Sequence, residues 1–141
     1  MPKMTRSGKP KQSELPSTLR RSTAKAQRTF AQTHDSAATE YGEGRRAHQT
    51  AYAALKRGFE KIGDHWERKA ALGPSDTQSA LGGAGKRRQY RSAGGVDANA
   101  SKKHLYDVAK RLGVAGRSRM TKSQLVRAIQ RANDRASARA R

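Results

Sequence analysis

The residues best suited to chemistry in this chain lie between Leu112 and Leu125, in the run LGVAGRSRMTKSQL. Arg117, Ser118 and Arg119 stand just before Thr121-Lys122-Ser123-Gln124. A Thr with a Gln three residues on is the pattern of a capping box at a helix start. The first N–H groups of a helix have no acceptor within it, and together with the helix dipole they attract anions. Two guanidinium groups and a hydroxyl at the same place would add charge and donors, so the chemistry is phosphate binding. Arg127 and Arg131, with Arg135 beyond them, recur at steps of four and so form one stripe on the helix that follows. That stripe reads either as a solvated outer face or as a face that tracks phosphates. Lys102 and Lys103 would extend the contact. All of these are backbone contacts, which position a nucleic acid without reading its sequence, and they leave DNA and RNA equally open.

Other chemistries fail on their spacing. GGAGKR around Lys86 lacks a phosphate-loop pattern, because Ala80 stands where the first glycine belongs and Arg87 where a Ser or Thr would hold magnesium. Lys86, Arg87 and Arg88 form instead a secondary basic cluster, either solvated or an extra phosphate contact. The histidines, His34, His48, His65 and His104, make no close ligand pair, so no metal site is expected. No nucleophile elbow and no paired acid–base spacing occurs. The expectation is a non-enzymatic protein with no catalytic residues and no cofactor.

The elements that must position the basic residues follow from apolar spacing. Leu105, Val108, Ala109 and Leu112 mark one helical face, and Gly113 is its natural stop. Leu125, Val126, Ile129 and Ala132 mark the next, with Val114 and Met120 closing a small core between the two. Upstream, Pro16 suits a helix start. Leu19, Ala26, Phe30, Ala37 and Tyr41 then repeat with helical spacing until YGEG, Tyr41 to Gly44, breaks the pattern. A further helix is predicted from about Arg45 to Ile62, with Gly58 as a place to bend or end, Gly63 as the stop and Trp66 as a core anchor. The fold class expected is all-α or nearly so. It comprises a disordered basic tail over 1–12, a helical domain over 13–72 and a flexible Gly-rich linker over 73–100. A helix–loop–helix module over 101–134 and a fraying basic tail over 135–141 complete it.

Composition sets the partner class. The chain has 141 residues, 31 Lys plus Arg against 11 acids, and a net charge of +20, with 33% hydrophobic and 5% aromatic residues. Half of that net charge falls in residues 101–141. Such a balance calls for nucleic acid or an anionic membrane surface. A membrane reader would set Trp, Phe or Leu on a basic amphipathic helix, whereas here the Trp and both Phe lie outside the most basic region. No run approaches the ~18 apolar residues of a span, and the N-terminus lacks the apolar segment of a secretory signal. The reading is a cytoplasmic, nucleoid-associated protein without direct membrane insertion.

Two resemblances sharpen this. Leu105, Ala109-Lys110, Leu112-Gly113-Val114, Gly116-Arg117-Ser118, Met120, Lys122, Leu125-Val126 and Ala128-Ile129 carry a spacing that resembles the helix–extended loop–helix module at the N-terminus of transcription termination factor Rho, and more loosely the SAP module. This implies nucleic-acid association. The oligonucleotide-binding barrel and ATPase ring of Rho have no counterpart in these residues. Leu15-Pro16, Phe30, Ala37, Tyr41, Ala47-His48, Ala51-Tyr52-Ala53-Ala54, Leu55-Lys56, Phe59 and Trp66 look like the ChaB family of cation transport regulators. That implies a small helical domain with room for a short β element, and a protein partner, by the family's name a cation/proton antiporter. The two functions expected are a nucleic-acid-binding accessory of transcription termination or of the nucleoid and, as the alternative, a regulatory protein acting on an antiporter.

Overall fold

Pro16, at the N-cap, opens α1 (Ser17–Arg20) in the computed structural model of the chain, which describes residues 2–69, 72–73 and 94–140. The Thr23 hydroxyl accepts from Ala26 N and caps α2 (Ala24–Tyr41), which buries Ala26, Phe30, Ala31 and Ala37. Gly42, at φ +82°, ends it. After this short break α3 (Arg45–Gly58) packs along α2 and buries Ala47, Ala51 and Leu55. Trp66 is 3% exposed and belongs to this first core with Leu19, Phe30, Leu55 and Phe59.

The helix predicted to reach Ile62 ends instead at Gly58. Residues Phe59–Ile62 form β1, antiparallel to β2 (His65–Arg68), with Phe59 opposite Arg68 and Ile62 opposite His65. Gly63, expected to be a helix stop, is the first residue of the two-residue turn, at φ +69°. Positive φ at that position is what a type II′ hairpin turn requires, and glycine supplies it without strain. The reason for the strand is burial on two sides. Side chains alternate across a sheet. Phe59, Lys61 and Trp66 therefore share one face, whereas Glu60, Ile62, His65 and Glu67 share the other. The first face closes the first core with Phe59 and Trp66, and the second meets the C-terminal unit.

That unit begins with α4 (Lys102–Arg111), capped by the Ser101 hydroxyl, which accepts from His104 N at 3.1 Å. At its end Val114 N donates to Ala109 O and Gly113 N to Lys110 O, with Gly113 at φ +71°. These paired bonds satisfy the last carbonyls in the manner of a Schellman motif. A short 3-10 turn (Arg117–Arg119) leads to α5 (Lys122–Arg139). The second core joins Leu105, Val108, Ala109, Leu125 and Ile129 to Ile62 of the hairpin and Val96. Among the core positions expected from the sequence, Leu112, Val114, Met120 and Val126 are half-buried, and Tyr41 is exposed.

Three expected segment boundaries change. The tail over 1–12 is held to the first unit: Lys3 N and Met4 N donate to the Asp35 carboxylate at 2.7 and 2.9 Å, and Lys3 Nζ donates to Glu14 O. Within the linker over 73–100, residues 94–100 pack, with Val96 2% exposed and Lys61 N donating to Gly95 O. Gly95 approaches Trp66 so closely that a Cβ there would lie 2.6 Å from the indole. Residues 74–93 of the linker, Lys86, Arg87 and Arg88 included, lie outside the described residues. The basic tail over 135–141 is helical through Arg139, because Ser137 continues the buried face of α5 onto the hairpin turn.

Candidate nucleic-acid interface

The capping box is complete. Gln124 N donates to the Thr121 hydroxyl at 3.2 Å, and Thr121 N donates to Gln124 Oε1 at 2.8 Å. Thr121 is thereby committed to the helix, and the N–H groups of Lys122 and Ser123 remain as the first-turn donors. Ser118, Arg119 and Lys122 are exposed around that turn. Arg117 is not free as expected. Its Nη1 donates to Val114 O at 3.1 Å, its guanidinium carbon lies 5.5 Å from the Tyr106 ring centroid, and its Nε is buried without a partner. Arg117 braces the loop against α4 and leaves Arg119 as the outward cation.

Arg127, Arg131 and Arg135 are all exposed on α5; Arg127 and Arg131 lie opposite the row of Leu125, Ile129, Ala132 and Asn133 that packs inward, and Arg135 lies on its flank. Arg139 adds a fourth exposed arginine at the same spacing. Lys102 and Lys103 are exposed as well, at the far end of α4 from the turn, about 14 Å along its axis at the usual rise. The structure therefore brings together Ser118, Arg119, Thr121 and Lys122 at one end of the long row of α5, and sets Lys102 and Lys103 apart. Lys103 lies beside a cavity of about 630 Å³ between the two units, which Glu60, Lys69, Asp97, His104 and Asp107 also line.

What orients α5 is a seam of paired groups that sequence reasoning missed. Asn133, 1% exposed, accepts from Gly63 N at 2.6 Å and donates to Lys61 O at 2.9 Å, so one amide grips the chain where β1 enters the hairpin turn. Glu60 and Glu67 are directly opposite across the strands, an arrangement that destabilises a hairpin unless each carboxylate finds a partner. His104 meets Glu60 at 2.7 Å, and Arg111 makes a bidentate pair with Glu67 at 2.6 and 3.0 Å. The Arg111 guanidinium is the main reason the Glu67 carboxyl is held down at about 2, with His65 adding to it and burial opposing. Asp64 is held low first by the His65 hydrogen bond and then by Arg21, whose Nε lies 3.3 Å away. Arg21 also donates to Ala140 O, closing the end of α5. The signal present in the sequence was Asn133 itself, a polar residue four places after Ile129 on an otherwise apolar row. The carboxylate pair carried no such signal, since it forms only when the strands register.

Among the described residues no cluster of three metal-ligating side chains occurs, and no helix is long and apolar enough to cross a membrane. Residues 15–69 match the ChaB family model, and residues 101–136 match the model of the Rho termination factor, N-terminal domain. No curated protein matches the chain, and no solved structure matches it.

Proposed function

We propose that this chain is a non-enzymatic nucleic-acid-binding protein that holds phosphates along α5 and serves as an accessory of transcription termination or of nucleoid organisation. The observation that carries the reading is the exposed arginine row of α5, mounted on a capped helix whose opposite face is locked to both units. The similarity of residues 101–136 to the Rho N-terminal domain supports the same partner class. Arginines on a rigid helix lose only side-chain freedom when they contact phosphates, whereas those on a mobile segment must have their backbone ordered as well. Such contacts bind with a steep salt dependence, each neutralised phosphate contributing about 0.9 to the log–log slope on B-DNA. Titration of the full chain with duplex DNA and with RNA across a salt series tests this. A steep slope, lowered by substituting Arg127 and Arg131 together, is expected. Binding that ignores salt and those substitutions would overturn the reading.

A second reading, regulation of a cation/proton antiporter through the ChaB-like unit, draws on the end of the α2–α3 pair away from the hairpin. There Tyr41 is 44% exposed, with the Arg46 guanidinium 3.8 Å from its ring centroid. Retention of an antiporter by the full chain after nuclease treatment, lost on Tyr41→Ala, would favour it.

A further inference from the structure

Basic residues in the sequence concentrate the expected contact in the C-terminal unit. The seam gives that contact a longer reach. Asn133 and Ser137 fix the last turns of α5 across the hairpin turn, and Arg21 ties Ala140 O to the end of α1. Arg20, the last residue of α1 and the neighbour of Arg21, is exposed there. The same seam takes carboxylates out of the outward field. Glu60 pairs with His104, Asp64 with Arg21 and His65, and Glu67 with Arg111, while Asp97 lies 3.7 Å from Lys69. On the outer face of α5 the one acid is Asp134, among Arg127, Arg131, Arg135 and Arg139.

We infer that both units hold one duplex DNA at once, along a track that runs from Arg119 at the turn, over the arginine row of α5, to Arg20 in the first unit. This rests on the nucleic-acid reading above and adds to it a contact outside the Rho-like residues. The 18 residues of α5 span about 27 Å at 1.5 Å per residue, the length of about eight base pairs at 3.4 Å each. A row of cations held at regular spacing on a rigid helix, inclined to its axis, matches a rigid polyanion with regularly spaced charge, which is duplex rather than single-stranded nucleic acid. Arg45 offers an internal comparison. It too is exposed in the first unit, but it starts α3, about 21 Å along that helix from the hairpin that meets α5.

The test compares Arg20→Ala, Arg45→Ala and Arg131→Ala in the full chain, on a duplex DNA longer than about eight base pairs, with helical content checked for each variant. Arg20→Ala and Arg131→Ala are each expected to lower the magnitude of the salt slope by about 0.9, and Arg45→Ala to leave it unchanged. Arg20→Lys, which keeps the charge, is expected to restore the slope. If Arg131→Ala lowers the slope and Arg20→Ala matches Arg45→Ala, the track ends within the C-terminal unit and the inference is overturned. If none of the three changes anything, it is the nucleic-acid reading itself that has failed. A duplex RNA of equal length is the second arm, and a loss on RNA exceeding that on DNA would overturn the assignment to DNA.

Discussion

Arg117 and Arg119 are two residues apart and look alike in the sequence, yet the fold gives them different work. Arg117 spends its guanidinium on Val114 O and the Tyr106 face, while Arg119 is exposed. Arg119→Ala should therefore weaken nucleic-acid binding with little change in stability. Arg117→Ala should lower the melting temperature of the chain through lost packing. Thermal unfolding and DNA titration on both variants separate the roles, and equal effects would show that the bracing contact is inconsequential. Asn133 is the residue on which the seam most depends. Asn133→Ala leaves Gly63 N and Lys61 O without their partner, and a buried unpaired group costs about 1–3 kcal/mol. Denaturant titration should show a loss of that size, whereas an exposed neighbour such as Asp134→Ala should change little.

At the scale of the element, the hairpin serves two cores through the alternation of its side chains. Ile62 belongs by sequence to the first unit and by packing to the second. Ile62→Ala should cost about 2–5 kcal/mol if the surroundings fail to collapse, and the loss should appear in α4 and α5. Faster amide exchange at Leu105 and Ile129 is the expected outcome, and exchange that rises only in α2 and α3 would refute the shared core. Gly95 is constrained in a different way, since φ is +95° and the Trp66 ring and Lys61 Cβ lie where a side chain would go. Gly95→Ala should destabilise the chain by about 1–3 kcal/mol through overpacking, with a change in Trp66 fluorescence.

For the whole molecule, the shared core and the ion pairs should couple the folding of the two regions. A single cooperative unfolding transition is expected where independent domains would show two. Its pH dependence follows from Glu67. A carboxyl lowered from 4.5 to about 2 in the folded chain stabilises the fold fully above the unfolded value. That contribution is lost progressively as pH falls from about 4.5 towards 2, because the unfolded chain takes up the proton first. With Arg111→Gln the guanidinium is gone, and the melting temperature should depend less on pH across that window. An unchanged dependence would mean that the pair contributes nothing to the docked state. Because both partners are partly exposed, solvent and salt screen the effect, and it should shrink at high ionic strength.

Helical spacing determined α2, α4 and most of α5, because a long amphipathic repeat has one burial solution. The Thr121–Gln124 cap was equally legible, being a local hydrogen-bond pattern written in four consecutive residues. The two family regions could also be read from the sequence, and the family models match over 15–69 and 101–136. Tertiary structure alone decided that Phe59–Ile62 is a strand. An apolar Phe59 and Ile62 suit a helix face as well as a strand, and only the presence of a second core on the far side of the hairpin favours the strand. The same holds for the order of residues 3–12 and 94–100, which have little apolar pattern of their own. They are fixed by distant partners, among them Asp35 for Lys3 and Met4, Trp66 and Lys61 for Gly95, and the second core for Val96. The basic residues were visible from the start, but which of them face outward was not. Charge is a property of the residue, whereas availability depends on what the folded chain places beside it, as Arg117 and Arg111 show.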